Sequence, residues 1–79
     1  MRLKMTERGF KRGEFTDLYG EACSIQESSS VKPSLWLGCE HESVHGVTGE
    51  KIGARMHLDQ RLAKQLLRHL QQFVKTGRL

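Results

Sequence analysis

Residues 58–77, LDQRLAKQLLRHLQQFVKTG, constrain this chain more than any other stretch. Leu62, Ala63, Leu66, Leu67, Leu70, Phe73 and Val74 recur at spacings of three and four, which places them on one stripe of an α-helix. Asp59 is suited to cap the helix N-terminus, where its carboxylate also meets the positive end of the helix dipole. Gly77 is suited to the left-handed residue that follows a helix, and Lys75 lies in the last turn. Arg61, Lys64, Arg68, Gln72 and Lys75 fall on the opposite side. A helix with so sharp an apolar stripe needs a second layer to bury it, and the rest of the chain must supply that layer.

The residues upstream read as strands. EFTDLYGEACSIQ predicts a β-hairpin, with Phe15–Leu18 and Ala22–Gln26 paired around a turn containing Gly20. Cys23 and Ile25 fall on one face, Ser24 and Gln26 on the other. ESSSVKP is a loop of small polar residues ending at Pro33, which cannot donate to a ladder. SLWLGC predicts a third strand, with Leu35, Leu37 and Cys39 on one face and Trp36 on the other. KIGARMHL predicts a fourth, with Ile52, Ala54, Met56 and Leu58 opposite Arg55 and His57. The expected fold is therefore α+β: a small antiparallel sheet of three to four strands, with one C-terminal amphipathic helix packed on one face.

A chain of 79 residues holds a single core. Residues 14–79 are expected to form one ββββα domain, with a mobile loop at 40–51 where two glycines interrupt any period. Residues 1–13 show no clear period and read as a flexible basic N-terminal arm. Charge is segregated along the chain. Residues 1–13 carry five basic and one acidic group, 14–50 one basic and seven acidic, and 51–79 seven basic and one acidic. Such asymmetry suggests an interaction surface without naming its partner. No apolar run reaches the roughly 18 residues of a membrane helix, and no hydrophobic segment follows the basic N-terminus, so no membrane association is expected and a cytoplasmic location is.

CEHESVH, residues 39–45, has the composition of a metal site. A structural zinc ion takes four ligands in a tetrahedron. Cys39, His41 and His45 could give three, with Cys23 or His57 as the fourth. The spacings are weak, no Cys-x₂-Cys pair occurs, and strand alternation turns Cys39 toward the core. No metal or other cofactor is expected, and a small zinc-stabilised domain is kept as an alternative. Whether Cys23 and Cys39 are bridged, free or metal-bound is left open by the sequence. Neither cysteine has the positioned base and oxyanion donor that a nucleophile needs, so the chain is not expected to be an enzyme.

Two binding surfaces remain. A sheet face presenting Trp36 beside Arg55 and His57 has the composition of a protein-contact hot spot. The helix side bearing Arg61, Lys64 and Arg68, with the basic arm, could contact phosphates, although no nucleic-acid-binding motif accompanies it. The same Trp36 face could instead build a homodimer, and the basic helix side could pair with the acidic segment of a dimer mate.

FTDLYGEACSIQESS, LWLGCE and RMHLDQRLAKQLLRHLQQFVKTGRL, spread over residues 15–79, resemble a group of short proteins encoded by phages and prophages. In that group a similar hairpin and a Trp-Leu-Gly strand precede a variable loop and an Arg-Met-His-Leu segment that enters a terminal helix. The resemblance implies a phage origin and a host cytoplasm, and it implies no reaction. Small phage proteins often inhibit host or defence proteins, anti-CRISPR proteins among them. The leading expectation is thus a non-enzymatic protein that binds and inhibits a host protein, such as a component of a CRISPR-Cas defence system. The alternative is a small nucleic-acid-binding protein using the helix side and the arm.

Overall fold

A computed structural model describes residues 1–41, 43–44, 47, 51–52 and 54–79. The fold is α+β. Five antiparallel strands form one sheet: β1 (Leu3–Met5), β2 (Lys11–Thr16), β3 (Ala22–Glu27), β4 (Ser34–Cys39) and β7 (Arg55–Asp59), in that spatial order. Two short strands, β5 (Ser43–Val44) and β6 (Lys51–Ile52), pair as a separate ribbon between β4 and β7. Helix α1 (Gln60–Thr76) closes the chain.

The sheet has more strands than the sequence predicts. Residues expected as a basic arm supply β1 and the start of β2, joined by a turn in which Thr6 N–H donates to Phe10 O at 2.7 Å. Two features hid this hairpin. Gly13 interrupts the alternation, and Leu3–Met5 is too short to show a period. In the sheet, Gly13 sits beneath the side chains of Met1 and Leu3, which occupy the space a Cβ would need. The fourth predicted strand is also divided. Lys51–Ile52 belongs to the separate ribbon, and only Arg55–Asp59 joins the main sheet. Half of the loop expected at 40–51 lies outside the described residues, and of the described half Ser43–Val44 and Lys51 belong to the separate ribbon.

Register assigns the faces. Leu3, Gly13, Ile25, Leu37 and Met56 form one cross-strand row. Phe15, Cys23 and Cys39 form a second row on the same side, and Leu35 with Leu58 lies in a third. Directly opposed residues share a face, so this side of the sheet is mainly apolar, with Glu27 opposite Leu35 and Lys11 opposite Met5 as its charged members. The other side carries Lys4, Arg12, Gln26, Trp36 and His57 in one row and Glu14, Ser24, Gly38 and Arg55 in the next.

Gly38 is required by its backbone. Its φ of 145° lies where side chains are strongly disfavoured, and a Cβ there would meet Ala54 O at 2.5 Å. The close approach brings Cys39 N–H to Ala54 O at 3.2 Å and so sets where β7 begins against β4.

The helix caps form as the sequence predicts. Asp59 Oδ1 accepts from Leu62 N–H at 2.9 Å, and Gly77, at φ 78°, donates to Phe73 O at 2.7 Å. The placement of the helix differs from expectation. It does not cover a sheet face. Asp59 is both the last residue of β7 and the N-cap of α1, so no loop residue is present to turn the helix back over the sheet. Its first turn packs near Leu58, and Ala63 joins Phe10, Leu35 and Leu58 around a shallow cavity of about 350 Å³. Beyond that turn the stripe is open: Leu67 is 52% exposed, Leu70 56% and Phe73 52%. Among the described residues the buried apolar side chains are Cys23 and Leu58. Leu67 and Leu70, each about half exposed, forgo on the order of 1 kcal/mol of burial apiece. No helix among the described residues is long and apolar enough to cross a membrane.

Candidate functional site

The polar side of the sheet is the best-organised surface of the molecule. β4 and β7 place Trp36 and His57 directly opposite each other. Their rings stack, with centroids 4.1 Å apart and planes inclined by 14°. Arg55, two residues earlier on β7, holds its guanidinium carbon 5.5 Å from the Trp36 ring centroid, within cation–π range. His57 Nε2 lies 2.8 Å from Ser28 Oγ, so the imidazole is held on its edge as well as its face. Trp36 and Arg55 are half-buried and His57 is exposed. The result is a fixed aromatic platform with a cation beside it.

A polar network continues the same row across β3 and β2. Arg12 donates to Gln26 Oε1 at 2.7 Å and to Glu40 Oε1 at 2.7 Å. It also approaches Glu14 at 3.5 Å. Ser24, beneath this network, is wholly buried, and its hydroxyl finds no partner at hydrogen-bond geometry among the described residues. It nonetheless lies near enough to the Glu40 carboxylate to favour its charge. The Ser24 hydroxyl first, and then the Arg12 guanidinium, hold the Glu40 carboxyl below the usual carboxylate range against the opposing effect of burial. Arg12 and Glu40 were not singled out by sequence. They are 28 positions apart, and no local pattern links them.

Of the residues expected to contact a partner, Trp36, Arg55 and His57 come together. Arg61, Lys64 and Arg68 lie on the helix, which continues from the end of β7.

The metal candidates behave differently. Cys39 Sγ lies 3.8 Å from Cys23 Sγ on the apolar side, and both cysteines are free thiols. His41 Nδ1 instead lies 3.4 Å from Glu21 Oε2 at the surface, and His45 falls outside the described residues. His57, the other candidate ligand, is committed to Trp36 and Ser28. Asp17, Cys23 and Cys39 do bring their ligand atoms within 4.8 Å of one another. Asp17 Oδ1, however, accepts the N–H groups of Tyr19 and Glu21 at 2.8 and 2.9 Å, an arrangement that builds the β2–β3 turn. Burial, reinforced by the adjacent Cys39 thiol, pushes the Cys23 thiol above its ordinary value and disfavours the thiolate.

His57 and Ser28 share a hydrogen bond like that of a nucleophile and its base. The bond fixes the edge of the His57 ring whose face stacks on Trp36. Comparison with protein-family models, with curated proteins and with solved structures found no match.

Proposed function

We propose that the protein is a non-enzymatic interaction module whose contact surface is the polar side of the sheet, centred on Trp36. The observation that carries this reading is the Trp36–His57 stack with Arg55 beside it. Binding surfaces concentrate their energy in a few Trp, Tyr and Arg residues held rigidly, because a pre-ordered side chain loses little entropy on association. Here the ordering is already achieved by β-sheet pairing, stacking and the Ser28 bond. The Arg12–Glu40 pair and Gln26 would form a polar rim. Combined with the phage-type sequence resemblance, this supports a protein that binds and blocks a host protein by occupying one of its surfaces. A defence-system component such as a CRISPR-Cas effector is the narrower form of the same reading.

Affinity capture from bacterial lysate tests it with three chains: the wild type, Trp36→Ala and Arg55→Ala. The expected result is a discrete host protein held by the wild type and lost with both variants, each variant keeping its circular dichroism spectrum. Capture of no protein, or equal capture by all three, would overturn the reading. Salt-sensitive retention of nucleic acid that depends on Arg61, Lys64 and Arg68 would favour phosphate contact by the helix instead.

A further inference from the structure

The chain holds the two halves of a hydrophobic core and keeps them apart. One half is the apolar side of the sheet, where Ile25 and Leu37 are half-buried and Met56 is 52% exposed. The other is the helix stripe running from Leu66 to Phe73. The direct passage from β7 into α1 through Asp59 leaves no residue to fold one onto the other. We propose that the protein is an intertwined homodimer in which the helix of each copy lies across the apolar sheet face of the other.

Two quantities support a second copy as the occupant. The chain exposes 6984 Å², whereas a compact monomer of 9.0 kDa exposes about 4,900 Å². Half of that excess, contributed by each copy, already reaches the roughly 2,000 Å² at which permanent homodimer interfaces begin. The radius of gyration is 14.5 Å, against about 11.6 Å for a compact domain of this length. A two-fold axis closes the exchange with both apolar surfaces used. The Trp36 side stays outside this interface, so the inference stands or falls independently of the proposed contact surface.

Sedimentation equilibrium of the full chain should give twice the 9.0 kDa chain mass. Leu70→Lys on the helix and Met56→Lys on the sheet should each weaken the dimer about 100-fold or more. Gln72→Lys, on the polar side of the helix, should leave the mass unchanged. Because a lysine at either apolar position can also unfold the chain, two measurements on the wild type stand beside them. Its thermal midpoint should rise with protein concentration. Isotope-filtered NOEs in a mixture of labelled and unlabelled chains should join Leu67 or Leu70 of one copy to Ile25 or Leu37 of the other. A single-chain mass with a concentration-independent midpoint overturns the proposal. So do intermolecular NOEs that connect helix to helix alone, or a dimer that Gln72→Lys dissociates.

Discussion

Trp36 and His57 lie face to face across β4 and β7, 4.1 Å between ring centroids, on the side of the sheet away from its apolar rows. Stacked aromatic pairs contribute about 0.5–1.5 kcal/mol beyond the area they bury. His57→Ala is expected to lower stability by about 1 kcal/mol. Trp36 is the single tryptophan, so its emission reports the same change. Removing the imidazole uncovers one ring face and should shift the emission to longer wavelength. An unchanged spectrum and an unchanged urea midpoint would show that the stack does not persist in solution.

Gly38 combines a positive φ with a Cβ position 2.5 Å from Ala54 O. The obstacle is backbone, which cannot swing aside as a side-chain tip can. Gly38→Ala should therefore cost more than about 2 kcal/mol, well above the usual glycine-to-alanine effect at a free site. Denaturant unfolding at matched protein concentration measures it. A loss below about 0.5 kcal/mol would mean that β4 and β7 pair differently around Ala54.

Glu40 gives the protein an acid limb. Its carboxyl titrates lower in the folded state than in the unfolded chain, because Ser24 and Arg12 favour the carboxylate. The unfolded state then binds the proton more readily. The resulting stability is fully present above the unfolded-state value and is lost as pH falls through the lower folded-state value. Glu40→Gln should flatten the fall in melting temperature over that acidic window and lower stability at neutral pH. An identical pH profile for wild type and variant would remove the Arg12–Glu40 pair from the account of this surface.

Cys23 and Cys39 are neighbours with different access. Cys23 is 4% exposed and its thiol is pushed up by burial, while Cys39 is half-buried. Under native conditions iodoacetamide should modify Cys39 first and leave Cys23 until unfolding exposes it. Peptide mass mapping over time reads the order. Faster modification of Cys23 would contradict its place beneath the apolar rows.

The sequence was most informative where cause and effect lie close along the chain. Asp59 and Gly77 cap the helix by bonds to residues three and four positions away, so their roles are readable without a fold. The alternation in SLWLGC likewise placed Trp36 opposite Leu35 and Leu37, because strand side chains alternate whatever the sheet around them. The same local rule exposed CEHESVH as two parts, since Cys39 ends a strand on its apolar side while His41 turns to Glu21.

What lay beyond the sequence depended on partners distant in the chain. The first hairpin was hidden because Gly13 breaks the alternation, and only neighbouring strands reveal that Met1 and Leu3 fill its place. Arg12 meets Glu40 through the pairing of β2, β3 and β4, a relation no spacing records. The helix is the clearest case. Its stripe announced that it would be buried, but a stripe specifies apolarity and not which surface it meets. The abrupt junction at Asp59 decided that, by carrying α1 away from the sheet and leaving the stripe and the apolar strand rows both uncovered.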